Sequence, residues 1–213
     1  MSDETTVNAI SAHAEHADHY DPVGAKIGMW LFLFTEFLLF GTLFIVFAVY
    51  LRQYRFDFQM ASGQLDRIMG AANTVILLTS SLTMALSIAA LERARVRLAV
   101  GMMVSTLLFA GGFLVIKSFE WGAKFSHDIF PDSVTMLQKT AGEQLFYGLY
   151  FAMTGLHGLH VVIGAAVIIY ALVAIRKGSV RSDRMLFMHN TGLYWHLVSL
   201  FCTLLFLLIY LNG

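Results

Sequence analysis

One cysteine, two prolines and no net charge are the first features of this chain. Cys202 alone cannot build a disulfide framework, a cysteine zinc site or an iron–sulfur cluster. It also excludes a covalently attached c-type haem and a two-cysteine dinuclear copper site. Pro22 and Pro131 both fall outside the long apolar runs, so no helix in those runs is kinked by proline. The 14 Lys and Arg balance the 14 Asp and Glu, which leaves no basic stripe for nucleic acid. Charged residues make up 13% of the chain and hydrophobic ones 58%, against roughly a quarter charged in a soluble domain. Residues 1–22 are polar and acidic, without the basic and apolar stretches of a signal peptide.

What is present is hydrophobic length. Five runs, about 26–51, 68–91, 98–121, 144–175 and 188–211, reach the roughly 20 residues needed to cross a bilayer. The expected architecture is all-α, an integral membrane bundle of five transmembrane helices after a polar tail over 1–22. The fourth run is about 32 residues, roughly 48 Å as a helix, so it should tilt or project beyond the hydrocarbon. The segment 122–142 reads as an external cap. Lys26, Arg93, Arg95, Arg97, Arg176, Lys177, Arg181 and Arg184 fall on one side of the five-span topology. Arg52, Arg55, Arg67, Lys124 and Lys139 fall on the other. That bias favours a cytoplasmic N-terminus and an external C-terminus. Thr79, Thr83 and Ser87, and Gly155 with Gly158, suggest small-residue packing faces.

Ionisable groups inside a span are costly and are therefore functional candidates. Glu36 lies in WLFLFTEFLLF (30–40), about 15 Å beyond Lys26 and near the midplane. Aromatic and aliphatic neighbours disfavour its charged form by desolvation. It reads either as a proton or lipid-interaction site or as an acid hydrogen-bonded across helices. Lys117 and Glu120 are three apart, a spacing for an ion pair on one helix face. His157 and His160 share a face in FAMTGLHGLHVVIG (151–164), and His196 follows in YWHLV (194–198). The three could form a metal or haem site, but helix-to-helix hydrogen bonds are the reading taken. His196 begins about 12 Å into its run, at a depth that makes it the expected partner of Glu36. His13, His16 and His19 recur every third residue but read as part of a solvated tail. His189 needs no special role. There is no Ser–His–Asp pattern, phosphate loop or dinucleotide fingerprint, so no catalytic residues are assigned.

The motifs WLFLFTEFLLFG, NTVILLTSSLTMA (73–85), KSFEW (117–121), FAMTGLHGLHVVIG and LYWHLV together resemble subunit III of the haem–copper oxidases. Each of the five runs contributes one, in the family's order, and the length is similar to bacterial members. The resemblance implies a non-catalytic, lipid-binding subunit in the bacterial cytoplasmic membrane. Its partners would be subunit I by direct packing, subunit II and phospholipid, with haem and copper held in those other subunits. The holoenzyme would reduce oxygen to water with electrons from cytochrome c or quinol and build a proton gradient. Subunit III would support proton uptake and the stability of subunit I. Glu36 matches the family's intramembrane carboxylate, and His157, His160 and His196 match its histidines. The fifth run departs from the pattern: Ser199 and Cys202 stand where the family has an Asp and a Trp. A subunit-III-like component of a nitric oxide reductase is the alternative within this resemblance. A small transporter using Glu36 and His157 is the alternative of another class, though inverted repeats and broken helices are missing.

Overall fold

In the computed structural model, residues 21–130, 133–176 and 182–210 are described. The tail histidines, Pro131, Lys177 and Arg181 lie outside them. The described chain forms α1 (Pro22–Gln53), α2 (Arg55–Ser62), α3 (Arg67–Glu92), α4 (Val96–Ser126), α5 (Val134–Leu137), α6 (Ala141–Arg176) and α7 (Ser182–Tyr210). Five of these, α1, α3, α4, α6 and α7, are long and apolar enough to cross a membrane. The connection expected over 122–142 is shorter than its sequence suggests, because α4 continues to Ser126 and α6 begins at Ala141.

Local chemistry sets the helix ends. Pro22 enters α1 in the first turn, where it has no intrahelical N–H to lose. The Asp21 carboxylate caps it, accepting from the Val23 N–H at 2.9 Å. Asp66 does the same for α3, accepting from Ile68 and Met69. The α3–α4 hairpin turns at Ala94, whose φ is 56°. There Arg95 N–H bonds Ala90 O and Ala94 N–H bonds Leu91 O, each at 2.9 Å, satisfying carbonyls that the helix end would orphan.

The buried face of α3 carries Asn73, Leu77, Ser80, Met84, Ser87 and Leu91. Their alternating spacing of four and three is the seam of a coiled-coil-like contact. This corrects the small-residue face expected from Thr79, Thr83 and Ser87. Thr79 is exposed and bonds back to Val75 O. A strict four-residue repeat precesses by about 40° per step around a helix of 3.6 residues per turn, so it leaves the seam.

α7 is central, packing on α3, α6 and α1, whereas α4 packs on α3 and α6. α1 is peripheral, with only Phe40 and Phe47 buried. One apolar core holds Met84, Met103, Ile168 and Trp195. The other lies toward the α2 end, where Phe47, Phe58 and Phe146 meet at centroid distances of 5.2–5.9 Å. At α6 a Cβ on Gly164 would lie 2.7 Å from the Trp195 ring, so only glycine admits that indole. Of the glycines read as packing sites, Gly155 does approach Trp121, while Gly158 meets nothing within 4 Å.

Candidate functional site in the membrane interior

Halfway along α1 and α6, Glu36 Oε2 lies 2.8 Å from His160 Nε2. His160 Nδ1 lies 2.7 Å from the Leu156 carbonyl. A carbonyl only accepts, so Nδ1 carries a hydrogen. Nε2 then either accepts from the neutral acid or, as imidazolium, donates to the carboxylate. Both states place one proton between Glu36 and His160. Phe40 packs edge-on to the imidazole at 5.3 Å and stacks on Phe201 at 4.2 Å, screening the pair on one side.

The direct hydrogen bond expected between Glu36 and His196 is not made. His196 Nδ1 is instead hydrogen-bonded with Ser81 Oγ of α3. The depths of Glu36 and His196 were comparable, but depth sets height along a bundle and not the direction around each helix. Rotation of α7 turns His196 toward α3, while α6 offers His160 to Glu36.

These contacts belong to a belt that ties all five spanning helices. Tyr194 Oη of α7 donates to His160 O of α6 at 3.1 Å. Trp195 Nε1 donates to Ser80 Oγ of α3 at 2.7 Å. Thr83 of α3 and Thr106 of α4 share a hydroxyl hydrogen bond at 2.8 Å. Hydrogen bonds between helices in lipid contribute about 0.6 kcal/mol on average and rarely exceed 2, so the belt stabilises by number and specifies rotation as it does so.

Lys117 and Glu120 meet as their spacing requires, with Nζ 3.0 Å from Oε2. The pair is not isolated. Tyr150 of α6 and Tyr210 of α7 both donate to Glu120 Oε1. Lys117 Nζ lies 3.3 Å from each of their hydroxyls and 5.0 Å from the Tyr150 ring centroid. Glu120 is only 5% exposed. Burying this charge is tolerated because its lone pairs are saturated by an ammonium and two phenols. Sequence reasoning missed both tyrosines, along with Ser80, Ser81, Trp195 and Thr106. Serines and threonines inside apolar runs were the available signal.

His157 is 2% exposed and packs edge-on to Phe113. Neither of its ring nitrogens has a partner among the described residues. Ser199 and Cys202 are both buried, and Ser199 Oγ bonds back to Trp195 O at 2.9 Å. The histidines thus serve three different environments. Among the described residues no three His, Cys, Asp or Glu side chains come together as a ligand set.

A groove runs between α1 and α7. Its outer part, about 740 Å³, is lined by Lys26, His189 and Asn190 with Trp30 and Leu193. Its inner part, about 390 Å³, continues past Trp30, Phe34, Phe37 and Leu197 to His196.

Five spanning helices, locked by interior hydrogen bonds and an internally neutralised ion pair, define a multi-pass helical membrane protein whose buried polar residues hold helices together. The chain belongs to the cytochrome c oxidase subunit III family, whose profile matches residues 5–213. It is 27% identical over 214 residues to the quinol oxidase subunit 3 of Bacillus spizizenii, covering 94% of this chain and 97% of that one. To the cytochrome c oxidase subunit 3 of Alkalihalophilus pseudofirmus it is 27% identical over 208 residues, covering 98% and 96%. It also resembles a haem–copper oxidase subunit I+III of Aeropyrum pernix, at 29% identity over 192 residues, 87% of this chain and 22% of that one.

Proposed function

We propose that this chain is the non-catalytic, lipid-binding third subunit of a respiratory haem–copper oxidase. It packs on subunit I, which with subunit II carries the haem and copper, and it supports proton uptake and the stability of subunit I. The fusion of subunits I and III in the Aeropyrum pernix relative supports direct packing. The relatives named as quinol and cytochrome c oxidases favour an oxidase over a nitric oxide reductase.

The observation that carries lipid binding is the α1–α7 groove. Its outer end presents Lys26, His189 and Asn190, which suit a phosphate headgroup. Its inner end has aromatic and leucine walls, which suit an acyl chain. Exposed Phe32, Phe34 and Phe37 extend that apolar surface along α1. The bias of basic residues favours a cytoplasmic N-terminus and an external C-terminus.

Purification in mild detergent, followed by mass spectrometry, tests the reading. The expected result is co-purification with haem- and copper-bearing subunits and with phospholipid, and no stoichiometric haem, copper or zinc on this chain itself. An intact complex stripped of lipid removes the lipid role. A tightly held metal on the separated chain overturns the non-catalytic assignment. A reporter fused after Gly213 that is active only in the cytoplasm reverses the orientation.

A further inference from the structure

Four buried side-chain atoms lack a hydrogen-bond partner among the described residues: Asn73 Oδ1, Trp121 Nε1 and both ring nitrogens of His157. Three of the four belong to residues lining one small cavity of about 30 Å³ between α3, α4, α6 and α7. Lys117, Thr154, Cys202 and Tyr210 also line it. Four helices thus bring polar residues to the edge of one mostly apolar cavity.

A neutral imidazole needs a donor for one nitrogen and an acceptor for the other, and an amide oxygen needs a donor. Water is the one common molecule that offers both. One water needs about 10–15 Å³ of cavity volume on this measure and two to four polar partners, so the space suits at most two or three molecules. A dry cavity of this size is ordinarily lined by Leu, Ile and Phe alone, whereas Asn73, Lys117 and His157 stand beside Phe113, Leu205 and Phe206 around this one. We propose that the cavity is an internal hydration site, in which ordered water joins His157, Asn73 and Lys117.

Its connection to the outside runs through Glu120. That carboxylate binds Lys117 and Tyr210 on the cavity side. It also lines a pocket of about 320 Å³ where α3 begins and α4 ends, together with Asp66, Lys124 and His127. The Glu120 cluster is therefore the layer between that surface pocket and the hydrated interior. Cys202, which stands where the family resemblance leads one to expect a tryptophan, faces the cavity. Its small side chain leaves space that an indole would fill.

X-ray hydroxyl-radical labelling of the full-length chain, in the complex with which it purifies, tests the proposal. Radicals form from water where the water is bound, and Cys, like Met, is among the most reactive side chains. Met84 and Met103 are fully buried in the apolar core and serve as internal controls. Cys202 should be labelled severalfold faster than both. Asn73→Leu and His157→Phe, which each remove a partner of the water, should lower the Cys202 rate. Labelling of Cys202 no faster than Met84 and Met103 overturns the proposal. So does a fast rate that neither variant changes, because the radicals then arise elsewhere.

Discussion

Glu36 and His160 share a proton across a 2.8 Å contact that joins the peripheral helix α1 to the interior of the bundle. Since α1 buries so little of its own apolar surface, this contact does much to set its rotation. Glu36→Leu should strand His160 Nε2, and His160→Leu should strand the Glu36 acid, each costing about 1–2 kcal/mol. The double variant should lose less than the sum, by about 0.5–1.5 kcal/mol. Thermal unfolding in nanodiscs measures the cycle, and strictly additive losses would rule the coupling out.

Lys117 and Glu120 make a different prediction, because the pair has two further partners, Tyr150 and Tyr210. Lys117→Met leaves a buried carboxylate short of its cation and should cost about 3 kcal/mol or more. Removing both charges with Lys117→Met and Glu120→Leu should cost less than the two single losses added together. It should not be neutral, since Tyr150 and Tyr210 would lose the oxygen to which they donate. Adding Tyr150→Phe in that background should return about 1 kcal/mol, the cost of an unsatisfied hydroxyl. A neutral double variant would show that the tyrosines find other acceptors.

Two glycines of α6 separate packing from proximity in sequence. Gly164→Ala drives a methyl group into the Trp195 ring and should cost about 1–3 kcal/mol. Gly158→Ala meets nothing and should be neutral, or stabilise the helix by up to about 1 kcal/mol. Melting temperatures of the two variants that moved equally would contradict the indole contact.

Much of this arrangement was legible before the fold was known. Apolar length located the five spans because lipid forbids unpaired backbone. Glu36 and Lys117–Glu120 stood out because a charge inside such a run is costly. The partner of Glu36 was not legible, since rise per residue gives depth and says nothing of rotation about each helix. Tyr150 and Tyr210 were hidden for a related reason. They lie 30 and 90 residues from Glu120 in sequence, and tyrosine in a span is ordinary. Gly158 looked like a packing site through its spacing from Gly155, but the close approach is at Gly164, where the size of Trp195 decides it. Ser199 and Cys202 stood out in the sequence only as departures from the family's Asp and Trp. In the bundle they are buried, with Cys202 on an internal cavity, so the departure changes interior volume.

The α1–α7 groove offers the sharpest separation of lipid binding from bundle stability. Leu193 lines both its outer and inner parts and is 38% exposed, so it faces the groove more than the core. It takes no part in the hydrogen bonds through Tyr194, Trp195 and His196 that hold α7. Leu193→Trp should fill the groove with an indole while leaving those contacts intact. A phospholipid seated there would lose burial of its acyl chain, at about 0.8 kcal/mol per methylene displaced, a penalty that detergent washing would expose. Native mass spectrometry should then find one retained phospholipid fewer per chain, with the melting temperature in lipid-free detergent little changed. Unchanged lipid retention in Leu193→Trp would place the bound lipid elsewhere, and a large loss of stability in lipid-free detergent would show that Leu193 belongs to the core.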